Sequence, residues 1–191
     1  KDIKGVIYNS AKKFANNIAF RIKEKVGKEI KYKDITYEKM LQDVNEFGTG
    51  LYLKGLKGKR VAIIGKNRYE WVLTYLGTLL GDMVAVPLDK ELQYDELENS
   101  LIRSKAECVV FDPKLMDSIN EIKKNGKTSL KYFVCMDSDI EGFESVQEII
   151  SIGKDSINKG NKEYINESID ENKMSVLLFT SGTTSKSKAV I

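Results

Sequence analysis

The chain has 191 residues, with 31 Lys plus Arg against 28 Asp plus Glu, a net charge of +3 and no His. At 41% hydrophobic and 31% charged it reads as folded and not disordered, and the lack of His excludes Ser-His, Cys-His and His-ligated metal chemistry within these residues. No apolar run approaches the ~20 residues of a membrane-spanning helix, and no leader pattern opens the chain, so a cytoplasmic address is expected.

Ile3, Ile7, Ala11 and Phe14 share one helical face, which predicts an opening helix. Residues 18–25 and 29–33 then alternate about Gly27-Lys28 and predict a β-hairpin. Thr36 suits the cap of a helix whose apolar face is Met40, Leu41, Val44, Phe47 and Leu51, with Gly55 beyond its end. RVAII at 60–64 reads as a buried strand. Asn67 is expected to cap a second apolar helix containing Trp71, Val72, Tyr75, Leu76, Leu79 and Leu80, with Gly81 ending it.

Residues 83–86 read as the next strand, beyond which Pro87 forbids pairing on its nitrogen side. A helix over about 94–104, a strand over 107–111, a helix begun by Asp112-Pro113 and stopped at Gly126, and a strand over 131–136 follow. Cys108 and Cys135 fall inside these apolar strands. They read as buried thiols, since two alone cannot complete a zinc site. Residues 145–157 are expected to be helical, 158–173 to be loop, and Met174–Phe179 (MSVLLF) to be a strong strand. Repeated β-α units of this length predict an α/β fold with a mostly parallel sheet flanked by helices.

The last segment carries the chemistry. Thr180, Ser181, Gly182, Thr183, Thr184, Ser185, Lys186, Ser187 and Lys188 bring six hydroxyls, one glycine and two lysines together. Hydroxyl and backbone N–H groups donate to phosphate oxygens, Gly182 permits close approach, and a terminal lysine adds a point charge. The spacing is not that of a Walker loop, and Ala189-Val190-Ile191 reads as a strand, so the loop is expected to join two strands without a helix N-terminus. A plain Ser/Thr/Lys-rich surface turn has the same composition.

LLFTSGTTSKSKAV resembles the T-S-G-T-T-G-x-P-K-G-V signature of the adenylate-forming (AMP-binding) superfamily, which contains acyl-CoA synthetases, peptide-synthetase adenylation domains and firefly-type luciferases. Thr180, Ser181, Gly182, Thr183, Thr184, Lys188 and Val190 match it, whereas Ser185, Ser187 and Ala189 replace Gly, Pro and Gly. Ile35-Thr36-Tyr37, Lys57–Ala62, Asn67–Trp71 and Val86-Pro87-Leu88 are similar to further family segments in the same order. The overall likeness is greatest to long-chain fatty-acid–CoA ligases.

The resemblance implies that residues 1–191 are the N-terminal portion of an AMP-binding adenylation domain, cut after its phosphate loop. Its reaction would activate a carboxylic acid, by this likeness a fatty acid, with ATP and Mg²⁺ and transfer the acyl group to coenzyme A. Thr180, Ser181, Gly182, Thr183, Thr184 and Lys188 would bind ATP phosphates, while the catalytic, Mg²⁺ and acid-binding groups would come from later in the chain. Nucleic acid is not expected as a partner, because Lys and Arg interleave with Asp and Glu without a segregated basic stripe. The chain starts on Lys1 and stops inside an apolar run, so the fragment alone is expected to be inactive and to self-associate through uncovered apolar surface. Two rivals remain at this point: an amino-acid-activating adenylation domain, and a non-enzymatic α/β binding module.

Overall fold

A computed structural model describes residues 2–27, 29–180 and 188–190. The opening helix α1 (Ile3–Lys13) is capped by Asp2, whose carboxylate accepts from the Gly5 N–H at 2.6 Å. Strands β1 (Ile18–Val26) and β2 (Glu29–Thr36) form an antiparallel hairpin with Gly27 at φ +64° in its turn. A bidentate Arg21–Asp34 pair at 2.6 and 2.7 Å clips the hairpin across its strands. Thr36 then accepts from the Lys39 N–H and starts α2 (Tyr37–Leu53), as its sequence position predicts.

The central sheet has five strands in the order β4-β3-β5-β6-β7, all parallel. They are β3 (Arg60–Ile64), β4 (Val84–Leu88), β5 (Cys108–Phe111), β6 (Tyr132–Cys135) and the short β7 (Glu144–Ser145). Their near-continuous apolar runs suit strands covered on both faces. Val61, Ile63, Ala85 and Val110 face one core with α2, α3 (Tyr69–Leu79), α6 (Val146–Asn158) and Tyr164. Ala62, Ile64, Val86 and Val109 face the other with α4 (Tyr94–Ser104) and α5 (Met116–Asn125). The expected α/β class is therefore observed, as helices on both faces of a parallel sheet. Cys108 and Cys135 lie buried in it, and burial pushes the Cys108 thiol up to about 12.

Several expectations need correction. Arg68, and not Asn67, occupies the N-cap of α3. It is held extended there by Glu70 at 2.5 Å and Asp137 at 2.6 Å, so the helix starts one residue later. Gly81 does follow the Leu80 C-cap of α3, and it also leaves space, since a Cβ there would come 2.7 Å from the Tyr164 ring. The stretch 158–173 contains a one-turn helix, α7 (Glu163–Asn166), which plants Tyr164 in the core. The expected six-residue terminal strand is shorter: β8 covers Leu178–Thr180, and Val176 makes a single parallel bridge to Ala85. Among the described residues no helix is long and apolar enough to cross a membrane.

Candidate functional site

The phosphate-loop residues expected from the sequence begin at β8. Ala85 donates its N–H to the Ser175 carbonyl and accepts from the Leu177 N–H, both at 2.9 Å. The chain therefore runs parallel to β4 along the sheet edge, toward the carboxyl ends of the strands. In the repeat of that pattern, the Leu177 carbonyl would accept from residue 87. That residue is Pro87, which has no N–H to give. The strand β4 itself continues past it, with Pro87 opposite Ile63 and Leu88 opposite Ile64. Proline thus cuts only the outer ladder, and the strand expected to stop at 86 runs on to Leu88.

Still beside β4, residues 178–180 pair with β9 (Lys188–Val190) in an antiparallel ladder. Leu178 lies opposite Val190, Phe179 opposite Ala189 and Thr180 opposite Lys188. Two of the six expected phosphate-binding residues are thereby brought face to face at the root of one hairpin. Ser181, Gly182, Thr183 and Thr184 lie outside the described residues. Two paired strands carry the loop, as the apolar run after Lys188 predicts. By register, its root projects beyond the carboxyl end of β4, the side on which open α/β sheets bind ligands.

A second polar group sits on the same edge, at the point where strand order reverses. From β3 the chain crosses to β4 on one side and from β5 to β6 on the other, so the carboxyl ends of β3 and β5 bound a crevice. Arg68 stands there, 2.5 Å from Glu70, 2.6 Å from Asp137 and 3.9 Å from Asp112. Burial would lower its guanidinium, but Glu70 and Asp137 outweigh that and raise it. The adjoining cleft of about 560 Å³ is also lined by Lys39, Asp43 and Tyr69. Three carboxylates around one guanidinium repel phosphate, so this crevice is the weaker candidate for a nucleotide. Sequence reading missed the cluster because its members come from three separate strand ends. Among the described residues, no group of acidic or Cys side chains is arranged to hold a metal ion.

The sequence profile of AMP-binding enzymes matches residues 7–191. This chain belongs to the AMP-binding enzyme family. Among curated AMP-binding relatives, long-chain-fatty-acid–CoA ligase 5 of Rattus norvegicus is 30% identical over 172 residues, covering 84% of this chain and 25% of that protein. The chloroplastic long-chain-fatty-acid–[acyl-carrier-protein] ligase of Arabidopsis thaliana is 25% identical over 173 residues, covering 82% and 24%. This chain thus spans about a quarter of the length of either. Its fold matches the long-chain-fatty-acid-CoA ligase of Archaeoglobus fulgidus with a TM-score of 0.80 at 19% identity, over 100% of this chain and 36% of that one.

Proposed function

We propose that residues 1–191 form the N-terminal portion of the adenylation domain of an AMP-forming acyl-CoA ligase, and that the 180–188 hairpin holds the β- and γ-phosphates of ATP. The observation that carries this is the pairing of Thr180 with Lys188 at the carboxyl edge of the sheet. That pairing sets a hydroxyl-rich loop and a lysine at one place. Thr180, Ser181, Thr183 and Thr184 would donate hydroxyl bonds, Gly182 would allow backbone approach, and Lys188 would supply charge.

In the reaction, a substrate carboxylate oxygen attacks the α-phosphorus and the bond to the β-phosphate oxygen breaks, giving acyl-adenylate and pyrophosphate. The thiol of coenzyme A then attacks the acyl carbon, loses its proton, and AMP leaves. Holding the departing pyrophosphate is the part this hairpin would play, since charge develops there during the first step. Mg²⁺ would add charge at the same phosphates; no residue of this chain is assigned to it.

The rat and archaeal relatives support a fatty acid and coenzyme A, and the Arabidopsis relative supports a carrier protein as the alternative acceptor. The test is acid-dependent exchange of labelled pyrophosphate into ATP by the complete enzyme, over fatty, aromatic and amino acids, followed by thioester formation with each acceptor. Exchange driven by fatty acids and thioester formed on coenzyme A are expected. Exchange driven by amino acids alone would transfer the assignment to a peptide-synthetase adenylation domain, and no exchange with any acid would favour a binding module.

A further inference from the structure

We propose that Arg103 is a positioning residue for the nucleotide: its guanidinium, laid over the Phe179 ring, fixes where the phosphate hairpin leaves the sheet. This rests on the reading of the hairpin given above.

Phe179 immediately precedes Thr180 and sits opposite Ala189 in the β8–β9 ladder. The described backbone bonds from this segment to β4 stop at Leu177, because Pro87 offers no donor beyond it. Past that point side-chain packing holds the hairpin laterally. Phe179 and Leu177 turn the same way along the strand and pack into the core that α4 shares. The Arg103 guanidinium carbon lies 5.4 Å from the Phe179 ring centroid, within cation–π range.

The other end of this contact is firmly rooted. Leu97 and Leu101 bury α4 on the sheet, a Gln93–Glu96 capping box starts it, and Lys105 at φ +53° ends it. Arg103 itself is exposed in the last turn, so the core does not require it. What it joins is a rigid helix and the residue before the first phosphate contact. A planar guanidinium both stacks on and polarises against the ring, whereas lysine offers only its charge. Fixing the hairpin root matters because small misplacements of reacting groups cost large factors in rate.

The experiment compares Arg103→Ala, Arg103→Lys, Phe179→Leu and the Arg103→Ala/Phe179→Leu double variant in the complete enzyme. KM for ATP, KM for the acid and kcat are read from pyrophosphate exchange, with Tm alongside and Lys188→Ala as a reference. Arg103→Ala and Phe179→Leu should each raise KM for ATP about two- to five-fold while KM for the acid stays put. The double variant should lose clearly less than the product of the two single losses, because the contact they share is removed only once, and Arg103→Lys should recover part of the loss. If Lys188→Ala raises KM for ATP and these variants do not, or if they lower only Tm, or if their effects multiply, the positioning role is wrong. If Lys188→Ala also leaves ATP unaffected, the phosphate reading fails first and this inference falls with it.

Discussion

Tyr164 shows how one residue outside any long element secures the scaffold. It is fully buried, and its hydroxyl donates to the Gly77 carbonyl at 2.8 Å. Gly77 contributes one of the last four carbonyls of α3, which a helix leaves without an intrahelical donor. The ring meets Tyr52 edge-on at 5.2 Å and fills space left by Gly48 and Gly81. The Lys4 ammonium reaches the Tyr164 and Glu167 carbonyls at 2.9 and 2.8 Å, tying α1 to the same turn. Replacing Tyr164 with Phe keeps the packing but strands the buried Gly77 carbonyl, so urea unfolding should show a loss of about 1–2 kcal/mol. Replacing it with Ala adds a cavity and should cost about 3–5 kcal/mol.

Among the elements, α2 and α6 share the most extensive helix contact. A Cβ on Gly153 would overlap the Glu46 carbonyl oxygen, and one on Gly50 would overlap that of Ile149. These overlaps are with backbone, which cannot rotate away. Gly153→Ala should therefore push the helices apart and cost about 1–3 kcal/mol or more, despite alanine's better helix propensity. A stability that rose instead would mean that the crossing adapts.

Elements with strong periodicity were legible in the sequence: α4 begins at Tyr94 and ends at Ser104 as read, and α6 covers Val146–Asn158 where 145–157 was expected. What failed were features fixed by distant partners. Nothing local to KEYIN marks Tyr164 as core, because its pocket is built from glycines of two other segments. Likewise Asn67 has the right chemistry for a cap, and the ion pairs of Arg68 override it. For the candidate site, the residue types and the strand-loop-strand form were readable. The role of Pro87 in ending the outer ladder, and the contact with Arg103, depend on register and needed the fold.

Across the whole molecule, the segment leading to the hairpin is held by a polar belt. Glu167 bonds Lys57 at 2.5 Å and accepts from the Tyr52 hydroxyl at 3.0 Å, while that hydroxyl accepts from the Asp82 N–H at 2.8 Å. Lys173 reaches Asp82 at 3.2 Å further along. Burial alone would raise Glu167, but its bonds to Lys57 and Tyr52 outweigh that and hold it below its ordinary value of 4.5. A carboxylate depressed by folding adds stability that is full above the unfolded pKa and is lost as pH falls through the folded one. Lys57 is half exposed, so solvent screens the pair and the contribution is small. Unfolding free energy compared between pH 7 and about pH 3 should thus fall less for Glu167→Gln than for the parent. Equal falls would remove Glu167 from the acid response.

The hairpin rooted by Thr180 and Lys188 is proposed to grip the phosphates of ATP. The most direct test is the rate of acid-dependent pyrophosphate exchange in the complete enzyme, compared between Lys188→Ala and Lys186→Ala. In the proposed reading Lys188 contacts phosphate, so losing it should slow exchange roughly ten- to a hundred-fold, as expected for a charge-assisted bond of about 1.5–3 kcal/mol. Lys186 is read as a solvated neighbour, so its loss should stay within about three-fold. Equal losses at the two positions, or a Lys188→Ala enzyme that exchanges as fast as the parent, would mean that Lys188 does not hold phosphate.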